Sequence, residues 1–134
     1  MIFVDTSAWY AIEVEDDINH ERSRKFLAGI ALGKYGIAIT TDYVLDETLT
    51  LLRSRRDLTV ATVFIEKIRR SKSIRVFWID EGLFEKAEVI FRKSGRMSWS
   101  FTDSTSFALM RELSISDAFA YDKHFKEAGF NSMQ

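Results

Sequence analysis

The chain has no cysteine, which excludes disulfides, thiolate nucleophiles and every cysteine-based metal site. It has no proline, and no low-complexity stretch, linker or internal repeat. No apolar run approaches the roughly 20 residues needed to span a bilayer. The N-terminus meets charge at Asp5, before the long apolar stretch of a secretory leader could form. Histidine is scarce as well, with His20 and His124 alone. These absences lead us to expect one cytoplasmic domain over residues 1–134, with no membrane partner.

What is present suffices for a core. The chain has 134 residues, 46% of them apolar and 13% aromatic. A chain of this size buries roughly two-thirds of the surface its unfolded form exposes, so no disulfide or structural zinc is required. The net charge of −1 speaks against the strongly basic balance of many nucleic-acid-binding domains. Its distribution does not. Residues 1–21 hold six acids and no Lys or Arg, whereas residues 53–75 hold eight bases against Asp57 and Glu66. Local field rather than net charge steers a polyanion, although a pair of solvated helices would give the same pattern.

Periodicity and capping signals alternate short apolar strands with helices. Strands are expected at 1–4, 37–40, 74–79 and 118–121. Helices are expected over Thr6–Glu13, about Asn19–Leu32, from a Thr41 or Asp42 cap to Arg55, and from Thr59 to Arg70. Further helices run from an Asp80 cap to Lys93 and over Thr102–Leu113, with a short turn at Lys123–Ala128. Such an order implies an α/β fold, a three-layer α/β/α sandwich around a mostly parallel sheet. Ligands in such folds sit beyond the carboxyl ends of the strands.

Four acids stand out at or near that edge. Asp5 ends the strand Ile2-Phe3-Val4, and Asp122 ends Ala118-Phe119-Ala120-Tyr121. Both also read as helix caps. Asp103 follows Thr102, the expected cap, where the helix dipole favours a carboxylate. Glu47 interrupts a mostly apolar stripe with Tyr43, Val44 and Leu51, while Asp46 lies about 100° round on a polar face. A core-facing glutamate needs a partner, because desolvating it costs several kcal/mol. That partner is a metal, a site cavity or a buried arginine. Four converging carboxylates would repel one another unless cations were present. All-oxygen ligation suits Mg²⁺ or Mn²⁺, the ions that support phosphodiester cleavage.

The stretches Ile2-Phe3-Val4-Asp5-Thr6-Ser7-Ala8, Tyr43-Val44-Leu45-Asp46-Glu47-Thr48-Leu49, Trp99-Ser100-Phe101-Thr102-Asp103-Ser104 and Tyr121-Asp122-Lys123-His124-Phe125 resemble the PIN domain. Within that family they are most similar to VapC-type toxins of prokaryotic toxin–antitoxin pairs, in the same order from residue 1 to about 130. The resemblance implies a Mg²⁺- or Mn²⁺-dependent endoribonuclease acting on RNA, usually a homodimer, neutralised by a small antitoxin. A PIN-domain RNA-processing nuclease or RNA-binding scaffold without a toxin role is the alternative. Carried over, Asp5, Glu47, Asp103 and Asp122 are the acidic quartet. Asp5 and Asp103 are expected to hold the principal metal, with Asp122 and Glu47 reaching it or a second ion. Ser7 resembles the hydroxyl that often supports the first aspartate, and Thr6 and Ser104 are further supporting candidates. Ser104 stands where near relatives often carry cysteine, and Asp117 is peripheral. Arg53, Arg55, Arg56, Arg96 and Lys123 are candidates for holding flanking phosphates. His124 is expected at the surface or behind the ligands, His20 at the surface, and Trp9, Trp78 and Trp99 in the core or an interface. The first helix and the helices of 42–70 are expected to offer partner surfaces.

Overall fold

In the computed structural model, which describes residues 1–133, five parallel strands form one sheet. They are β1 (Ile2–Val4), β2 (Ala38–Thr41), β3 (Ile74–Phe77), β4 (Asp117–Phe119) and β5 (Asn131–Met133). The order is β3-β2-β1-β4-β5, and every pairing is parallel. Successive strand residues point to opposite faces. Every residue of β1 and β2 is nevertheless buried. Both faces of the central sheet are therefore covered, as a three-layer α/β/α sandwich requires. β5 was not expected: Asn131-Ser132-Met133 has no β-branched or alternating apolar pattern, and its pairing with β4 alone makes it a strand.

The helices are α1 (Thr6–Glu13), α2 (His20–Ala31), α3 (Asp42–Arg55), α4 (Leu58–Arg70), α5 (Glu81–Arg92), α6 (Phe101–Glu112) and α7 (His124–Glu127). Two starts differ from the sequence reading. α4 begins at Leu58 rather than Thr59, because the Asp57 carboxylate accepts a bond from the Val60 amide at 2.8 Å. The cap of α6 is Ser100, not Thr102, and Asp103 closes a reciprocal capping box with it. The first helix offers no apolar face to a partner, since Ala8, Trp9, Ala11 and Ile12 are all in the core. His20 is likewise buried, with its Nδ1 2.8 Å from the Ala11 carbonyl, so it is not a surface residue.

The strand order fixes where chemistry belongs. Moving outward from β1, the chain steps through β2 and β3 on one side and through β4 and β5 on the other. The crossovers out of β1 and β4 thus diverge, leaving a crevice beyond their carboxyl ends. Asp5 follows β1 directly, and Asp122 comes three residues after β4 ends.

Candidate active site

Asp5 is the cap of α1, and its Oδ2 accepts from the Ser7 amide at 3.2 Å and the Ser7 hydroxyl at 2.9 Å. Ser7 Oγ in turn accepts from the Tyr121 amide at 2.9 Å, which ties the end of β1 to the segment after β4. The capping reading of Asp5 is correct, and it does not compete with a functional one. The cap occupies one carboxylate oxygen and leaves the other.

The same division recurs at two more acids. Asp103 Oδ2 accepts from the Ser100 amide at 3.0 Å and lies 2.8 Å from His124 Nδ1. Asp122 Oδ1 accepts from the His124 amide at 2.9 Å. Among the described residues, the second oxygen of each of Asp5, Asp103 and Asp122 takes no hydrogen bond. Asp103, Asp122 and His124 present donor atoms within 4.8 Å of one another. Because a carboxylate only accepts, His124 Nδ1 carries the proton in that contact. His124 therefore fixes the orientation of the Asp103 carboxylate.

Glu47 enters from α3 and is half-buried, whereas Asp46 is exposed, as the helical register predicts. Thr6 connects it to α1. The Thr6 hydroxyl has one proton, and its contact to the Val44 carbonyl is long at 3.4 Å. Thr6 also favours the charged form of the Glu47 carboxyl, against the burial that raises it. Thr48 Oγ1 donates to the Val44 carbonyl at 2.7 Å and so competes with Thr6 there.

The electrostatics follow from this crowding. Burial pushes the Asp5 carboxyl well above the usual carboxylate range, and the charges of Asp122 and Asp103 add to it against the Ser7 bonds. Burial also raises Glu47, opposed by the Thr6 bond and reinforced by Asp103, Asp122 and Asp46. Asp103 is raised by burial and Asp122, against the Ser100 amide and His124. Buried like charges favour the protonated forms until a cation replaces the protons. The carboxylates offer free lone pairs on three aspartates, with His124 the one nitrogen donor beside them, and such an oxygen-dominated set fits a hard divalent ion.

Asp5, Thr6, Ser7, Glu47 and Asp122 line one cleft of about 300 Å³, together with Tyr10, Asp17, Asn19, Leu51, Arg55 and Tyr121. Of the basic candidates, only Arg55 is on its wall. Arg56 pairs with Asp16 at 3.3 Å, while Arg53, Arg96 and Lys123 are exposed elsewhere. Ser104 is buried, and its hydroxyl donates to the Ser100 carbonyl within α6 at 3.2 Å. Asp117 is bonded to the Asn131 side chain at 2.9 Å, on the β4–β5 pair. Tyr10, Asn19 and Tyr121 were not expected in the site. Tyr10 had a signal, since it falls one helical turn after Thr6.

A parallel sheet in this order, with carboxylates gathered at the β1–β4 crevice, defines an α/β domain with a negatively charged site. The chain belongs to the PIN-domain family, whose profile it matches over residues 2–131. It is similar to the 23S rRNA-specific endonuclease VapC20 of Mycobacterium tuberculosis, with 38% identity over 130 residues, 97% of this chain and 95% of that one. It also resembles a VapC ribonuclease of Archaeoglobus fulgidus, with 28% identity over 123 residues, 91% of this chain and 77% of the relative. The crystal structure of M. tuberculosis VapC20, described as a sarcin–ricin loop cleaving toxin, superposes with a TM-score of 0.88. That match has 36% identity and covers 97% of this chain and 96% of that one.

Proposed function

We propose that this protein is a divalent-metal-dependent endoribonuclease and the toxin of a toxin–antitoxin pair, cleaving the sarcin–ricin loop of 23S rRNA in the cytoplasm. The observation that carries the chemistry is the unpaired oxygen left on each of Asp5, Asp103 and Asp122 beside the half-buried Glu47. Relatives named for cleavage of 23S rRNA and of its sarcin–ricin loop support the substrate. Asp5, Asp103, Asp122 and Glu47 would hold Mg²⁺ or Mn²⁺, directly or through water. A bound divalent ion lowers the pKa of water and neutralises charge on phosphoryl oxygens. The protein's own part is positional. Ser7 and His124 hold the two carboxylates they touch, and Thr6 favours the charged form of Glu47.

The test is cleavage of a sarcin–ricin loop hairpin by purified protein with Mg²⁺, with Mn²⁺ and with EDTA. Cleavage at one position that stops with EDTA is expected; full activity in chelator would remove the metal from the reading.

The same reading includes a homodimer and a small antitoxin. An exposed face supports a protein partner: Trp78 is 71% exposed and borders a cleft lined by Leu45, Ile65, Ile68 and Val76. No described helix is long and apolar enough to cross a membrane. Light scattering that gives a strict monomer at micromolar concentration would count against the dimer.

A further inference from the structure

The acidic cleft has one cationic wall residue, and acids do not hold it. Arg55 shares the cleft with Asp5, Asp17, Glu47 and Asp122. Yet among the described residues it makes no ion pair within 4.0 Å. Its guanidinium instead lies over the Tyr10 ring, 5.6 Å from the centroid.

Helical spacing explains the placement. Glu47, Leu51 and Arg55 follow one another at four-residue intervals on α3, and Thr6 and Tyr10 do so on α1. Residues four apart share a helix face. The two helices are therefore opposing walls, with Thr6 and Glu47 beside the acids and Tyr10 and Arg55 further out. At 1.5 Å per residue, Arg55 is about 12 Å along the α3 axis from Glu47. Arg55 is thus rooted at the outer end of the cleft wall, beside Tyr10 rather than beside the acids.

We propose that Tyr10, Leu51 and Arg55 form a subsite for an unpaired nucleobase adjacent to the cleaved position. This rests on the nuclease reading above. The chemistry of the lining selects the occupant. A phosphate alone would require converging donors, whereas here an aromatic ring and an isobutyl group sit beside one planar cation. An unstacked base presents the flat, apolar, polarisable face that such a wall accepts, and single-stranded RNA is bound by stacking on aromatic rings and guanidinium planes. Asn19 lines the same cleft, and its side chain takes no part in capping α2, so its amide is available to a base edge.

The experiment is a binding measurement in chelator, so that no cleavage intervenes. Fluorescence anisotropy compares a labelled short single-stranded RNA with the same RNA carrying abasic nucleotides. Wild type should prefer the base-bearing strand by roughly 5- to 150-fold, the range for stacking one base. Arg55→Ala and Tyr10→Leu should abolish that preference, and Tyr10→Phe should keep it. Arg55→Lys retains the charge but loses the plane, so it should lose most of the preference. Photocrosslinking of 5-iodouridine-labelled RNA should map to Tyr10. If Tyr10→Leu fails to fold, Arg55→Ala, on an exposed residue of the last turn of α3, decides alone.

The proposal is overturned if wild type does not distinguish the strands or does not bind, or if Arg55→Ala keeps the full preference. It is overturned equally if Arg55→Ala weakens both strands alike, which describes a phosphate contact. Cleavage of the hairpin with base-blind binding would leave the nuclease reading standing and remove the subsite. Base-selective binding without cleavage would do the reverse.

Discussion

His124 Nδ1 lies 2.8 Å from Asp103 Oδ2, while the His124 main-chain amide donates to Asp122 Oδ1 at 2.9 Å. One residue at the start of α7 thus fixes two of the clustered carboxylates, with its side chain on one and its backbone on the other.

That relationship predicts a split. His124→Ala removes the Asp103 contact but keeps the amide to Asp122. Outer partners of ligating carboxylates change metal affinity or activity by about 10- to 100-fold when removed. We expect weakened Mg²⁺ binding by calorimetry and cleavage reduced within that range. Unchanged metal affinity would show that the histidine does not position Asp103.

Asp103→Asn should abolish cleavage and leave the fold intact. Asparagine keeps an acceptor for the Ser100 amide and removes one charge from a repelling group. A thermal melt in chelator should show equal or greater stability. Large destabilisation would make Asp103 chiefly the closing residue of the α6 capping box.

Glu47 and its neighbour separate cleanly. Glu47→Gln should reduce cleavage by more than the roughly 100-fold typical of changes to outer-shell residues. Asp46→Asn, at an exposed position, should stay within about 0.5 kcal/mol in stability and near wild type in activity. Single-turnover cleavage of both, side by side, is the measurement. A dead Asp46→Asn with a working Glu47→Gln would reverse the assignment.

The metal-free protein should lose stability as pH rises. Asp5, Glu47 and Asp103 have folded-state pKa values above their unfolded ones. Folding therefore favours their protonated forms. Their contribution is complete below the unfolded value of about 4 and lost as pH climbs through the raised folded values. The melting temperature in EDTA should fall as pH rises above the unfolded carboxylate value of about 4, and Mg²⁺ should flatten the fall. Asp103→Asn should shrink the slope. A slope identical in that variant would place the titration elsewhere.

The sequence was informative wherever one residue served both structure and site. Asp5 and Asp122 were visible because short apolar runs end at them, and Glu47 because it breaks a stripe. The cap of α6 was ambiguous for a physical reason. Ser100 and Thr102 are both good caps, and only the return bond from Asp103 decides between them. His20 could not be placed by its local pattern, because its burial depends on a carbonyl nine residues earlier. Arg55 was one of five basic candidates, and its distinction comes from the packing of α1 on α3 around the cleft.

The bond from the Tyr121 amide to Ser7 Oγ joins positions 114 residues apart. It closes the site only when β4 has docked beside β1, inside the sheet rather than at its rim. Contacts of such sequence separation form late and together with the global fold. Assembly of the acidic cluster is accordingly a late event in the life of each chain. A molecule in which β4 has not docked lacks the Tyr121–Ser7 bond that brings Asp122 towards Asp5. In a urea titration, metal binding and tertiary structure should vanish at one midpoint. Metal binding that outlasts β4 docking would show an earlier assembly.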